Sequence, residues 1–404
     1  MKLLVSAAEA SSDAHGASLV IALRALLSER GEKLEVIGVG GPLLRATGQR
    51  QFFHARDLLS MGFTEVLARL PKIFRALRVV TATAQVEKPD VAVLIDYPDF
   101  HLRLAKRLKG LGISTVNFIP PKIWLWRRHR IKKMRAVYDR VLCILPFEEA
   151  FYAENSMSAL YVGNPLVDQL PLKLSQEQAR RELGLPVTGA KVVALFLGSR
   201  PHELAMHITP MSRAVLRVAR ERQVRTIALV PLATPEQRSW VERELAPLAH
   251  SEVEFRFYEG ESARCLVAAE AGLVKSGTST LEAGMLGLPH VVVYKTSRST
   301  AWIFKYLMKY LGPVGLVNLV GGWRPGDSWE PATRRRIVPE ILTSEVTVER
   351  LAQELDRLLF DAEYIAKMKS AFQEMRGRVL GDGSSPSLKA AREILRLYDE
   401  KRTS

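Results

Sequence analysis

Val91-Ala92-Val93-Leu94-Ile95-Asp96-Tyr97-Pro98-Asp99-Phe100 is the stretch that decides the fold. Five apolar residues, three of them β-branched, run without a polar break. A strand of that kind is buried on both faces, as in parallel sheets covered by helices. Two carboxylates follow at once, where the chain leaves the strand's carboxyl edge. Open α/β sheets bind their ligands at that edge. Asp96 is therefore a candidate general base opening on a cleft. The structural alternative is that Asp96 or Asp99 only caps a helix beginning near His101.

The same unit repeats on either side. Residues 2–6 and 34–39 read as strands around a helical stretch at 14–29, and 114–118 and 140–145 are further apolar runs. Residues 163–172, with Pro165 and Pro171, read as a linker. The pattern then restarts, with strand candidates at 191–197, 226–232, 253–257, 272–275 and 290–294. Alternation of this kind predicts two doubly wound, Rossmann-like α/β domains with a cleft between them. The expected division is 1–168, 169–380 and a C-terminal helix over 381–404. That helix starts at Ser385-Pro386, a cap followed by a first-turn proline, and carries a stripe of Leu388, Ala391, Leu395 and Tyr398.

A chain of 404 residues with 47% hydrophobic and 25% charged residues has the composition of a folded, multidomain protein. Cys143 and Cys265, far apart in sequence, offer neither a disulfide framework nor metal spacing, which fits a reducing cytoplasm. Glu9 and Asp13 interrupt the apolar start before a signal sequence develops, and no uncharged apolar run is long enough to span a bilayer. No Gly-x4-Gly-Lys-Ser/Thr run is present, which disfavours a P-loop nucleotidase. The formal charge of +15 calls for an anionic partner: nucleic acid, a phosphorylated ligand or an acidic membrane.

Several loops carry chemistry. Ala8–Asp13 follows the first strand with the carboxylates of Glu9 and Asp13 and the hydroxyls of Ser11 and Ser12, though Ser12 or Asp13 would equally serve as a helix cap. Leu197-Gly198-Ser199-Arg200 follows a strand of the second half; Gly198 allows close backbone approach, and Arg200 suits a diphosphate. Lys275-Ser276-Gly277-Thr278 joins a strand to a helix, an anion site of the helix-N-terminus type, and Glu282 one turn in suits two ribose hydroxyls. Residues 66–80 interleave Arg69, Lys72, Arg75 and Arg78 with Leu67, Leu70, Ile73, Phe74 and Leu77, a pattern shared by membrane-surface helices and ordinary surface helices. The run from Trp124 to Lys133 reads as a solvated or phosphate-facing loop, so nucleic acid is not an expected partner.

Taken in order, these pieces resemble the lipid-A-disaccharide synthase family along nearly the whole chain. Residues 8–13 are similar to its Gly-Glu-x-Ser-Gly-Asp, 95–100 to Ile-Asp-x-Pro-Asp-Phe, and 120–127 to Ser-Pro-x-x-Trp-Ala-Trp-Arg. Pro146-Phe147-Glu148, Gly198-Ser199-Arg200 with Glu203, Ser276-Gly277-Thr278 through Leu281-Glu282, and Asn318 match as well. Departures fall at Ala8, Ser12, Pro120, Lys122, Leu197 and Val317.

The resemblance implies a GT-B fold and an inverting transfer of 2,3-diacylglucosamine from UDP to the 6-hydroxyl of 2,3-diacylglucosamine 1-phosphate. The products are a β-1,6 disaccharide and UDP. It further implies a protein peripheral to the cytoplasmic face of the inner membrane, dimers with exchanged C-terminal segments, and no cofactor or metal. Asp96 is then the base, Glu9, Ser11 and Asp13 its neighbours, and Arg200, Ser276, Gly277, Thr278, Glu282 and Asn318 the UDP-sugar site. Ile73, Phe74, Leu77, Arg75 and Arg78 face the membrane and acceptor. The alternatives are another GT-B transferase or epimerase using UDP-N-acetylglucosamine, a catalytically silent membrane-bound relative and, from a different class, a basic nucleic-acid-binding protein.

Overall fold

The computed structural model describes every residue except 55–62, 127, 233, 249–251, 297–311, 331–334, 382 and 404, and the backbone alone of 10, 54, 63–71 and 126. The chain divides into two compact units, Met1–Asp168 with Leu380–Ser404, and Gln169–Val379.

The first unit is a seven-stranded parallel sheet in the order β3-β2-β1-β4-β5-β6-β7. Its strands are β1 (Lys2–Ala7), β2 (Glu35–Gly40), β3 (Arg50–His54), β4 (Val91–Ile95), β5 (Ser114–Phe118), β6 (Arg140–Cys143) and β7 (Leu160–Tyr161). All five residues of β4 are buried, as an unbroken apolar run in the middle of a parallel sheet requires. Strand order reverses between β1 and β4, which pair from Leu3 opposite Val91 to Ala7 opposite Ile95. That reversal brings the loops after β1 and β4 side by side. The helices that position them are α1 (Ala10–Glu29), α2 (Pro42–Ala46), α3 (Phe63–Glu87) and α4 (Pro98–Gly110). Because α1 begins at Ala10, Ser11 and Asp13 lie in its first turn and not in a loop.

The second unit is a six-stranded parallel sheet in the order β10-β9-β8-β11-β12-β13. It is built from β8 (Lys191–Phe196), β9 (Thr226–Leu232), β10 (Val253–Glu259), β11 (Ala271–Lys275), β12 (His290–Tyr294) and β13 (Glu340–Leu342). Here the reversal lies between β8 and β11, with Val274 opposite Phe196. Three helices matter below: α5 (Pro201–Arg222), α6 (Thr278–Met285) and α7 (Leu316–Gly321).

Past the second unit the chain returns to the first as α8 (Pro386–Thr403). The hydroxyl of Ser385 accepts from the Leu388 amide at 3.1 Å, the cap expected from Ser-Pro. Ala391, Ile394, Leu395 and Tyr398 of α8 share one core with Leu19, Leu23 and Leu27 of α1.

Candidate functional site

At the β1/β4 reversal the chain leaves β4 in an unusual conformation. Asp96 (φ 55°) and Tyr97 (φ 49°) are consecutive left-handed residues that are not glycine. Such a pair costs about 1–3 kcal/mol per residue and persists only where surroundings impose it. The surroundings are visible. The Asp96 amide donates to Phe118 O at 3.2 Å, and the Tyr97 amide donates to Asp96 Oδ1 at 2.9 Å. His101, fully buried on α4, places Nδ1 2.5 Å from Asp96 O and Nε2 2.9 Å from the hydroxyl of Ser6 on β1. Burial pushes the imidazole down to about 4, so it is neutral near pH 7. A carbonyl only accepts, so Nδ1 carries the proton and Nε2 accepts from Ser6. The chain Ser6–His101–Asp96 thus fixes the Asp96 backbone from the neighbouring strand.

The Asp96 carboxyl lies above its ordinary range: burial raises it, and the Tyr97 amide and the Lys122 ammonium pull the other way without prevailing. A carboxylate held in place and made more basic is the form a general base takes. Asp99, in the first turn of α4, is engaged by Arg130 at 2.5 Å.

Of the three neighbours on α1, Glu9 and Ser11 are exposed at its start. Asp13 is different. It is buried, and its oxygens accept from the amides of Gly41 at 2.7 Å, Leu43 at 2.9 Å and Leu44 at 3.2 Å. The geometry gives Asp13 the task of capping α2. A Cβ on Gly41 would stand 2.6 Å from Asp13 Oδ2, so glycine is needed there.

Glu148 was visible only as part of a motif. It is buried, and accepts from Trp124 Nε1 at 3.2 Å and from the Leu145 amide at 3.0 Å. Burial pushes it up to about 7, against the opposing pull of those donors and Lys122. It ties the segment after β5 to the segment after β6.

In the second unit the loops at the β8/β11 reversal enclose a cavity of about 150 Å³, lined among others by Gly198, Ser199, Glu203, Lys275, Gly277 and Thr278. Gly277 and Thr278 stand at the N-terminus of α6, as expected for an anion site. Gly198 has φ 115°, and a Cβ there would lie 2.7 Å from Glu203 Cβ, so its lack of a side chain is what lets the loop close over Glu203. Arg200 is not in the lining, and its side chain is 72% exposed. Ser276 spends its hydroxyl on Val314 O at 2.9 Å. Burial pushes the half-buried Glu282 carboxyl up to about 6.

Asn318 is engaged within the unit. It is fully buried on α7; its amide nitrogen donates to Val338 O and Glu340 Oε1, both at 2.9 Å. Its oxygen accepts from the amides of Ile337 at 2.8 Å and Val338 at 3.0 Å. Two donors and two acceptor sites are all that an amide side chain has. In this state its side chain is fully engaged, and Asn318 ties α7 to the approach to β13.

On α3, Leu77 is 1% exposed and packs inward with Ala76 and Val80, which removes it from the outward-facing set. Phe74, 42% exposed, lies 5.8 Å from the Arg103 guanidinium, Arg75 and Arg78 are exposed, and Ile73 is half-buried. The side chains of Leu67, Arg69 and Leu70 lie outside the described residues. Among the described residues, no helix is long and apolar enough to cross a membrane.

His101 and Ser6 are the residues that sequence reasoning passed over, and Lys275 entered it only as the start of the anion-site run. A signal for His101 existed: it interrupts the apolar face of Phe100, Leu104, Ala105 and Leu108, all of which are buried on α4.

Comparison with known proteins bears on all of this. The curated lipid-A-disaccharide synthase of Myxococcus xanthus is 40% identical over 396 residues, covering 98% of this chain and 97% of that one. That of Anaeromyxobacter dehalogenans is 40% identical over 394 residues, with coverages of 98% and 97%. Among solved structures, the UDP-GlcNAc 2-epimerase of Neisseria meningitidis bound to UDP-GlcNAc superposes with a TM-score of 0.58 at 12% identity, covering 99% of this chain and 100% of that one. At that identity the likeness concerns the fold alone: two Rossmann-like domains of the GT-B type. The family model described as lipid-A-disaccharide synthetase matches residues 3–394, both reversal-point loops included. With that match and relatives at this identity over nearly their full length, the chain belongs to the lipid-A-disaccharide synthase family.

Proposed function

We propose that the protein is a UDP-sugar hexosyltransferase of lipid A biosynthesis, transferring 2,3-diacylglucosamine from UDP to the 6-hydroxyl of 2,3-diacylglucosamine 1-phosphate with inversion. The observation that carries the reading is Asp96, a carboxyl raised by burial on a backbone that Ser6 and His101 fix at the β1/β4 reversal. In a direct displacement, Asp96 takes the proton from the acceptor hydroxyl as its oxygen attacks the sugar's anomeric carbon. The bond to UDP breaks, and its electron pair leaves with the diphosphate. Backbone amides around Gly277 and Thr278 with the Arg200 guanidinium meet that charge. The first unit takes the acceptor and the second the UDP-sugar. Phe74, Arg75 and Arg78 suit an anionic membrane surface at the cytoplasmic face. A homodimer with exchanged C-terminal segments belongs to the reading through the family resemblance.

The test is mass spectrometry of products from purified protein supplied with UDP-diacylglucosamine and the acylated monosaccharide phosphate. Asp96→Asn keeps the shape but cannot take the proton, so turnover should fall about 10²–10⁴-fold while UDP affinity stays near normal. If Asp96→Asn turns over normally and Glu9→Gln is dead, the base is Glu9.

A further inference from the structure

Lys275 ends β11 and points its ammonium at Glu203, Nζ to Oε1 2.6 Å, with the two side chains only 16% and 8% exposed. Both residues line the cavity at the β8/β11 reversal. Glu203, in the first turn of α5, uses Oε2 for the amides of Ser199 at 3.1 Å and Arg200 at 3.4 Å. One turn further, the buried His207 accepts the Lys295 amide at Nε2, 2.9 Å, and donates from Nδ1 to Glu203 O, 2.7 Å. The carboxylate is therefore set by the loop before α5, while His207 holds the Glu203 backbone carbonyl. Lys275 is held more loosely: its ammonium lies 6.0 Å from the centroid of the Tyr294 ring, and of its three N–H donors the described hydrogen bonds use one, on Glu203.

A lone ammonium in so enclosed a place would be costly, and Glu203 neutralises it. The pair leaves a cation at the wall of an anion-sized cavity, beside the N-terminus of α6, with an exchangeable partner. Arg200, the cation that the Gly-Ser-Arg run suggests, lies outside that wall. We propose that Lys275 is a second cation, besides Arg200, that receives the diphosphate of the nucleotide, and that Glu203 holds it in place until the nucleotide arrives. The proposal rests on the UDP-sugar reading above and adds to it a second group that recognises the diphosphate. Glu203 is a positioning residue in this arrangement; Lys275 touches the leaving group.

The experiment is calorimetric titration of the full chain with UDP and with uridine, for the wild type, K275M and E203Q. Methionine keeps the length and apolar stem of lysine without its charge. K275M should bind UDP about ten- to a hundredfold more weakly, as expected for loss of a charge-assisted hydrogen bond, with uridine affinity changed less than about threefold. E203Q removes the competing anion and should bind UDP at least as tightly as the wild type. A purely structural ion pair gives the opposite pattern: both variants melt earlier, and the ratio of UDP to uridine affinity does not move. That result, or equal losses for both ligands, overturns the proposal. If K275M leaves an unpaired carboxylate and fails to fold, the double variant E203Q/K275M removes both charges together and carries the same comparison. A wild type that binds no UDP would instead sink the UDP-sugar reading itself.

Discussion

Replacing Asn318 with alanine distinguishes a ligand group from a structural tie. In the structure the substitution strips partners from the amides of Ile337 and Val338 and from Val338 O. Glu340 is spared, because Oε1 still accepts from the Gly315 amide at 2.9 Å and Oε2 from the Val314 amide at 3.1 Å. Each buried polar group left without a partner costs about 1–3 kcal/mol. Three groups, one of them at the edge of the core, sum to about 3 kcal/mol at the low end of that range. For a unit of this size each kcal/mol lowers the melting midpoint by about 2–4 °C, so the transition of the second unit should drop by about 10 °C. Circular dichroism measures that shift, and UDP titration well below the variant's midpoint measures the remaining affinity. The expectation is a large loss of stability with UDP binding within about threefold of wild type. An unchanged midpoint together with a tenfold or greater loss of UDP affinity would refute the reasoning and return Asn318 to the nucleotide.

Two further outcomes follow from buried and half-buried groups. Burial holds Glu148 at about 7 against an ordinary 4.5, so the folded protein keeps a proton that the unfolded chain has released, and stability falls as pH rises through that window. Glu148→Gln removes its share of the slope; in urea titrations its stability relative to wild type should improve by on the order of 3 kcal/mol between pH 4.5 and 8. His101 and His290, both pushed down to about 4 by burial, slope the other way, but they do so in both proteins and cancel in the difference. Parallel stability curves would show that Glu148 titrates normally. On α3, Leu77→Ser should lower the melting midpoint, whereas Phe74→Ser should leave it within about 2 °C and release protein from anionic vesicles. Equal sedimentation of Phe74→Ser and wild type would make α3 an ordinary surface helix.

The fold was readable because a parallel sheet writes its central strands as uninterrupted apolar runs, as β4 and β8 do. Edge strands carry no such mark. β7 has two residues, β13 has three, and β3 reads Arg-Gln-Phe-Phe-His, and none of these was anticipated. Asp96 was readable for a related reason, since a carboxylate closing an apolar run sits where the sheet ends. Its support was not, because Ser6 and His101 meet across 95 positions that only strand order brings together. The Lys275–Glu203 pair spans 72 positions and was hidden in the same way. Asp13 and Asn318 show the converse limit. Residue type and motif mark them as polar and special, but whether their atoms are already taken by backbone amides is a question of geometry alone. For Leu77 the obstacle is that cations flank both sides of the helix, so periodicity cannot say which apolar residues turn inward.

The return of α8 to the first unit sets a schedule for the ribosome. The core that α8 completes around Leu19, Leu23 and Leu27 waits for Ala391, Ile394 and Tyr398, which are made after the whole second unit. At about 5–20 residues per second, the interval between finishing residue 168 and reaching the last of these is on the order of 10–50 s. Throughout it, the flank of α1 that α8 will cover is bare, whereas the second unit needs no residue beyond Val379. The second unit therefore has its full sequence before the first does, and the earliest-made helix is among the last to be covered.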